Sequence, residues 1–271
     1  MSRNSGSVQN QDFEDYVSSV KQKSEELIKN VFPKRIVELN EILDSPLFNL
    51  DVQKQGLSIP LNIPVPDAQA ISKALNHTIQ NNHNDEEESP AGKKRKLNNV
   101  KNGPIVEDQS IIATGTKVLA LPEGQVTVNK TISKMFDVVK PQIRQLVEYS
   151  NLLKMWVTFL IPKIEDGNNF GVSIQEDTLG EIRTVEAETA TFYEQITRYH
   201  MSRAKLISKL AKYPIIEDYR RVIAEIDEKE FISLRLIISE IRNHYASLFD
   251  LISKNWEKII KPRTSNSENL Y

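Results

Sequence analysis

The sequence predicts an all-α protein folded as a long up-and-down four-helix bundle. Apolar residues recur at three- and four-residue spacing over four long segments, which is the pattern of helices with one buried face. Glycine is found at only 9 positions, few for a sheet that needs many tight turns. Helices of about 30 to 45 residues are roughly 45 to 65 Å long, and rods of that length pack side by side as a bundle.

The first predicted helix covers residues 12–44. Pro33 lies inside it and lacks the backbone N–H that a helix needs, so we expect a kink or a split at this point. Residues 58–66 contain three prolines, each of which biases the residue before it away from the α conformation. We therefore expect an extended strip here, and we assign residues 1–66 to the bundle domain.

Residues 67–127 differ in composition from the rest of the chain. They are rich in Asn, Asp, Glu, Gly and Lys, with an acidic run at Asp85–Glu88 and a basic run at Lys93–Lys96. A connection of this length inside a compact domain is uncommon, and it is usually functional or disordered. We predict a flexible loop.

Three more helices follow, and with residues 1–66 they complete one bundle domain that includes residues 128–271. The second helix is predicted over residues 128–162, with a local kink at Pro141. A turn separates it from the third helix, at residues 173–212, and the fourth is predicted over residues 217–260.

The third helix has the weakest apolar pattern. Its predicted interior positions are Thr184, Ala187, Ala190, Thr191 and Thr197. So weakly apolar a helix indicates one face against a partner or a water-filled channel.

Composition and motifs argue against several classes of function. The net charge is −2, so no overall basic field indicates nucleic-acid binding. There is no cysteine, which excludes disulfides and thiolate chemistry. The first residues lack the apolar region of a signal peptide, and no stretch approaches the roughly 18 apolar residues of a membrane span. We expect a soluble intracellular protein with protein partners.

No cofactor, metal or catalytic residue is predicted. Neither G-x-x-x-x-G-K-[ST] nor G-x-G-x-x-G is present, so the sequence does not support ATP hydrolysis. A dimetal site in a bundle needs Glu-x-x-His pairs, and none of the histidines has a glutamate three residues before it: His77, His83, His200 and His244. The acidic residues of the last two helices lie among Lys and Arg, which is typical of solvated helix faces.

Several segments closely resemble the REG (11S) proteasome activators, most of all the gamma type. One is residues 161–176, Ile-Pro-Lys-Ile-Glu-Asp-Gly-Asn-Asn-Phe-Gly-Val-Ser-Ile-Gln-Glu. Others are residues 32–36, 60–66, 203–206, 217–221, 225–243, 261–263 and 269–271. The resemblance covers nearly all of the chain except its first ten residues and the middle of the polar loop, about residues 76–106.

This resemblance implies a fold, an assembly and an activity. The family is a four-helix bundle whose copies form a heptameric ring around a channel, which would suit the weakly apolar third helix. Its members bind the α-subunit ring of the 20S proteasome core through C-terminal tails, and they open the gate with the loop between helices two and three. They use neither ATP nor ubiquitin, and they promote the degradation of peptides and unstructured proteins.

The resemblance assigns two sites. The activation loop would be Glu165, Asp166, Gly167, Asn168, Asn169, Phe170 and Gly171. By composition alone this segment is ordinary turn chemistry, since Asn and Gly tolerate positive φ. A loop that moves a gate needs a fixed shape, and on that reading the asparagines lock the loop by bonds to the backbone, the glycines permit a tight path and Phe170 anchors it to the bundle. The proteasome-binding tail would be Asn269, Leu270 and Tyr271, although composition alone gives a disordered terminus. Its carboxylate and two apolar side chains suit a pocket on a partner.

Two weaker assignments concern location and specificity. Lys93, Lys94, Arg95 and Lys96 read as a nuclear import signal or as a solvated charge run, and gamma-type members are mainly nuclear. We therefore expect the nucleus, with some protein in the cytoplasm. Lys205 matches a lysine of the third helix that is thought to bias which peptidase activity is stimulated, and otherwise it is an exposed helix lysine.

Two alternatives remain open from the sequence. The bundle could act as an adaptor that gathers proteins through its charged loop without opening a protease, and an intact tail would then be dispensable. It could also be an enzyme with an unrecognised carboxylate site, although no constellation of residues supports that reading.

Overall fold

The computed structural model describes residues 5–57, 61–65, 67, 69, 125–165, 167 and 169–263. These residues are mostly helical, and no strand occurs among them. The helices are α1 (Ser5–Glu26), α2 (Phe32–Asp44), α3 (Leu50–Leu57), α4 (Lys130–Leu160), α5 (Phe170–Lys212), α6 (Glu217–Lys254) and α7 (Trp256–Ile260). The predicted all-α fold is confirmed, and α4 and α5 begin and end within three residues of their predicted bounds. The first helix begins earlier than predicted, at Ser5, and the predicted fourth helix is divided into α6 and α7.

The chain divides into two compact units. The first comprises residues 1–59, 128–202 and 224–271, and the second comprises residues 60–127 and 203–223. In the first unit, the long helices share one apolar core. Its largest fully buried side chains are Trp156, Tyr245, Phe32, Phe48 and Phe231.

The first predicted helix contains a wide turn where Pro33 was expected to disturb it. A π-helical turn at Leu27–Val31 joins α1 to α2, and the N–H of Phe32 donates to the carbonyl of Leu27. Pro33 follows immediately, in the first turn of α2, where its missing N–H matters least. The expected split is therefore a one-turn bulge in the helix, which keeps Leu27, Ile28 and Phe32 in the core.

A short helix was missed between the first helix and the proline strip. Asn49 caps α3, since its Oδ1 accepts from the backbone N–H groups of Asp51 (3.0 Å) and Val52 (3.3 Å). Arg235 of α6 holds the preceding turn, donating to the carbonyls of Leu43 (2.7 Å) and Phe48 (2.9 Å). Eight residues are too few to show an apolar stripe, so only the cap residue indicates this helix.

A buried asparagine begins α4. The side-chain oxygen of Asn129 accepts from the N–H groups of Thr131 and Ile132, and its Nδ2 donates to Asp227 (2.9 Å) and to the carbonyl of Leu57 (3.3 Å). Both the oxygen and the nitrogen of this side-chain amide are hydrogen-bonded, as expected for a polar side chain that is only 2% exposed. Helix α4 then continues without interruption through Pro141.

The predicted interior of the third helix was wrong. Thr184, Ala187, Ala190, Thr191 and Thr197 are all exposed. In the first unit, the buried side chains of α5 lie on another face: Gln175, Thr178, Leu179, Ile182, Val185, Thr189, Ile196 and Tyr199. Polar residues interrupt this buried stripe, so the apolar pattern of the sequence does not show its helical periodicity. The exposed threonine hydroxyls bond to carbonyls of their own helix, for instance that of Thr191 to Glu188 (2.7 Å).

The second unit has a small core of its own. Ile63, Leu210, Ala211 and Ile223 are buried together. Arg220 donates to the carbonyl of Ile63 (2.6 Å). The described part of the proline strip, residues 61–65, is non-helical as expected, with a tight turn in which the N–H of Ile63 donates to the carbonyl of Leu61.

None of the helices in the described ranges is long and apolar enough to cross a membrane.

Candidate functional site

The loop between α4 and α5 turns at a glycine. Gly167 has φ 81°, in the left-handed region that disfavours other residues, as the turn chemistry predicted. A Cβ at this position would meet no atom within 4 Å, so the backbone angle alone favours glycine here. Asp166 and Asn168 lie outside the described residues.

Asn169 closes the turn and begins the next helix. Its Nδ2 donates to the carbonyl of Glu165 (3.3 Å), which confirms the predicted bond from an asparagine side chain to the backbone. Its own carbonyl accepts from the N–H of Ser173 (2.9 Å), the first hydrogen bond of α5. The chain therefore enters α5 directly from a locked turn.

Phe170 does not anchor the loop, and that prediction was wrong. Its side chain is 74% exposed, and Ile164, on the other side of the turn, is fully exposed. Because α5 begins at Phe170, its side chain projects from the first helical turn, away from the core. The loop thus presents an apolar side chain to solvent on each side of the glycine turn.

Gly171 is needed for a different reason from the one predicted. It is already helical, and the backbone of Pro262 passes directly over it. A Cβ on Gly171 would lie 2.6 Å from Cα of Pro262 and closer still to its carbonyl oxygen. The glycine allows the segment that leads to the C-terminus to cross the start of α5.

That segment begins from a fixed position. Trp256 of α7 packs on the buried Trp156 of α4 with ring centroids 5.7 Å apart, and Lys29 lies over the Trp256 ring. Gln175 of α5 is fully buried and donates to the carbonyls of Leu160 (3.1 Å) and Ile259 (2.7 Å). One amide therefore ties together the ends of α4 and α7, whose last carbonyls lack helical partners.

Arg263 joins this segment to the loop. Its guanidinium donates to the carboxylate of Glu165 (2.8 Å) and to Oδ1 of Asn169 (3.4 Å). The arginine side chain is 20% exposed and that of Glu165 is 65% exposed. The loop and the beginning of the tail thus form one continuous set of contacts.

Aromatic residues lie beside the end of α4. Phe13 and Tyr16 of α1 contact Phe159 edge to face, at centroid distances of 6.0 and 6.1 Å. Phe13 is 57% exposed. This end of the first unit therefore carries several exposed apolar side chains next to the loop.

The remaining predicted sites are only partly within the described residues. Lys205 is exposed on α5. The tail residues Asn269, Leu270 and Tyr271 and the basic run Lys93, Lys94, Arg95 and Lys96 lie outside the description, so the nuclear location stays a prediction. In the described part of the chain, no group of three His, Asp or Glu side chains is placed to hold a metal ion.

Sequence reasoning missed the residues that hold the loop in place. Gln175, Trp256 and Arg263 were not singled out for any role. The only signal was that two of them fall in the segments with family resemblance, residues 161–176 and 261–263. Their contacts join positions far apart in the chain, which no local pattern reveals.

Comparisons with known proteins agree with this architecture. Residues 8–68 match the family model "Proteasome activator PA28, N-terminal" and residues 125–269 match "Proteasome activator PA28, C-terminal". The chain is 49% identical to the Gallus gallus protein named proteasome activator complex subunit 3 and 48% identical to the Homo sapiens protein of that name. Each alignment covers 92% of this chain and 90% of the relative.

A solved structure has the same fold over almost the whole chain. The 11S subunit of the Plasmodium falciparum proteasome, PA28, superposes with a TM-score of 0.69 at 26% sequence identity. The match covers 97% of this chain and 98% of that one. On the family models, the relatives and the fold together, this chain belongs to the PA28 family of proteasome activators.

Proposed function

We propose that this chain is a non-catalytic activator of the 20S proteasome core that needs neither ATP nor ubiquitin. The observation that carries the proposal is its 48 to 49% identity, over 92% of its length, to proteins named proteasome activator complex subunit 3. The alternative reading as an adaptor has no comparable support. The core, not this chain, would hydrolyse the substrate.

The proposed mechanism separates docking from gate opening. Copies of the chain assemble into a homo-heptameric ring, and the tails, ending at Asn269, Leu270 and Tyr271, bind the α-subunit ring of the core. Each tail binds weakly, but seven tails on one rigid ring bind at a high effective concentration. Ring assembly therefore has to precede activation.

The loop is suited to act on the gate. It is held at Glu165 and Asn169 and exposes Ile164 and Phe170. When the tails dock, a loop of fixed shape displaces the neighbouring surface that it meets, whereas a flexible loop would change its own conformation instead. Opening the gate would admit peptides and unstructured proteins, which are narrow enough to enter a channel.

The test is hydrolysis of short fluorogenic peptides by latent 20S core without ATP. We expect the intact chain to stimulate hydrolysis and a chain lacking Leu270 and Tyr271 to fail, because it forms rings that do not dock. The mass of both proteins in solution is the control, and about seven copies are expected for each. If rings of the intact chain do not bind the core or raise its activity, the adaptor reading takes precedence.

A further inference from the structure

We propose that Arg263 is a positioning residue for the activation loop: its guanidinium, at the beginning of the tail segment, holds the loop in the shape that acts on the gate. This inference rests on the proposed function. It concerns the link between its two parts: the tail that binds the core and the loop that opens the gate. Arg263 lies between α7 and the proposed tail residues Asn269, Leu270 and Tyr271.

The first step of the argument is that the beginning of the tail is fixed. Helix α7 is held to α4 by the Trp156 and Trp256 rings, and Ile259 is fully buried. The carbonyl of Ile259 accepts from Gln175, in the second turn of the helix that follows the loop. Arg263 is only four residues after Ile259, so its guanidinium is already held near the loop. Forming its contacts with the loop therefore costs little further conformational entropy.

The second step is that Arg263 holds both ends of the turn. It contacts the carboxylate of Glu165 before the turn and Oδ1 of Asn169 after it. The Nδ2 of the same Asn169 side chain donates back to the carbonyl of Glu165. The guanidinium thus fixes the orientation of the asparagine amide and closes a ring of contacts around Gly167. A planar group with several donors can do this, whereas a lysine ammonium lacks the fork.

The third step is an independent contact at the same place. The backbone of Pro262 lies on Gly171, with no room for a Cβ between them. Movement of the chain at Pro262 is therefore transmitted to the first turn of α5 as well as to the loop. Two neighbouring residues therefore contact this region. Arg263 bonds through its side chain to Glu165 and Asn169, and Pro262 contacts Gly171 through its backbone.

These contacts lead to a specific division of roles. Residues beyond Arg263 would supply the binding to the core, and Arg263 would determine whether the bound ring carries a loop of the right shape. Loss of the guanidinium then leaves docking in place and weakens gate opening. A residue needed only for folding, or only for tail binding, would affect both together.

The test compares Arg263→Gln with wild type in two readouts on the full-length ring: half-maximal binding to the 20S core, and peptide hydrolysis at saturating activator. We expect binding to change by less than about twofold, because the tails are intact. Stimulation at saturation should fall about fivefold, the effect of losing one well-placed ion pair on the loop. Arg263→Lys should recover little of this loss.

Two further variants show whether the contact itself matters. The charge swap Arg263→Glu with Glu165→Arg restores the ion pair in reverse, and we expect it to recover more stimulation than either single change. Arg144→Gln removes an exposed arginine from a pair with Glu148 on α4, at 3.9 Å, and is the matched control with no expected effect. Gly171→Ala should produce the same separation of binding from stimulation as Arg263→Gln.

Hydrogen exchange on the ring alone separates this proposal from the proposed function. In Arg263→Gln, the amides of residues 163–169 should exchange about fivefold faster, whether or not the protein activates a core. Wild type that fails to stimulate any core would refute the proposed function, while this exchange result would still establish the contact. Full stimulation by Arg263→Gln, a parallel loss of binding and stimulation, or unchanged exchange would each overturn the positioning role.

Discussion

Two glycines illustrate how one residue type serves opposite purposes in this chain. Gly167 has a positive φ in the loop, whereas Gly180 is an ordinary helical residue of α5. A Cβ meets no atom within 4 Å at either position. Any difference between the two on substitution therefore comes from the backbone and not from packing.

Replacing each glycine by alanine should shift stability in opposite directions. Gly167→Ala is expected to destabilise the protein by about 1 kcal/mol, because alanine is strained at positive φ. Gly180→Ala should stabilise it by about 0.5 to 1 kcal/mol, because alanine loses less backbone freedom in a helix. Urea unfolding of both variants at one protein concentration measures this. Gly167→Asn is the control, since asparagine tolerates this conformation, and equal shifts for the two alanine variants would contradict the account.

At the scale of elements, helix α6 contributes a buried carboxyl group to a cleft beside α5. The cleft has a volume of about 510 Å³, and its charged lining residues are Glu194, Arg198, Lys229 and Glu230. Glu230 is 6% exposed, and among the described residues its Oε1 has no hydrogen-bond partner. The pKa of Glu230 is raised from 4.5 to about 7. Burial of the carboxyl group is the largest cause, Lys229 lowers the pKa, and Asp227 raises it.

This pKa makes the stability of α6 depend on pH near neutrality. The folded pKa lies above the unfolded one, so the folded protein keeps a proton that the unfolded chain releases between pH 4.5 and about 7. The group favours folding most at low pH, and stability falls as the pH rises through about 7. At pH values above about 7, the buried carboxylate of Glu230 is charged and destabilises the fold by at most about 3 kcal/mol.

Glu230→Gln should remove this dependence, because the amide stays neutral. We expect the variant to gain stability over wild type as the pH rises from 5.5 to 8.5, by about 1 to 3 kcal/mol in urea unfolding at fixed protein concentration. Glu228→Gln, an exposed neighbour on the same helix, is the control. A difference between Glu230→Gln and wild type that stays constant over this range would show that Glu230 is ionised throughout.

The elements also show what the sequence can and cannot predict. The bounds of α4 were correct to within two residues, because its buried residues are apolar at every position except Ser150. The interior of α5 was placed on the wrong face because Gln175, Thr178 and Thr189 are buried within its stripe. The 3.6-residue period is recognised from apolar side chains, so buried polar residues at stripe positions remove that signal. Gln175 and Thr178 are hydrogen-bonded there, to the carbonyls of Ile259 and Ile174.

At the scale of the whole molecule, the residue types of the loop predicted its turn but not the contacts that hold the loop in place. Gly167 and Asn169 indicated a tight turn from their residue types alone. The bond between Arg263 and Glu165 joins positions 98 residues apart, and the bond between Gln175 and Ile259 joins positions 84 apart. Such contacts follow from how the helices pack, so only the folded structure reveals that the loop and the beginning of the tail are one unit.

The central claim, that this chain activates by opening a gate, is tested most directly with two forms of the 20S core. One is latent, and the other has its gating segments removed so that its entrance is already open. We predict that the chain strongly stimulates peptide hydrolysis by the latent core, without ATP, and that it barely changes hydrolysis by the open core although it binds both. Equal stimulation of the two cores, or binding to the latent core without stimulation, would contradict the account.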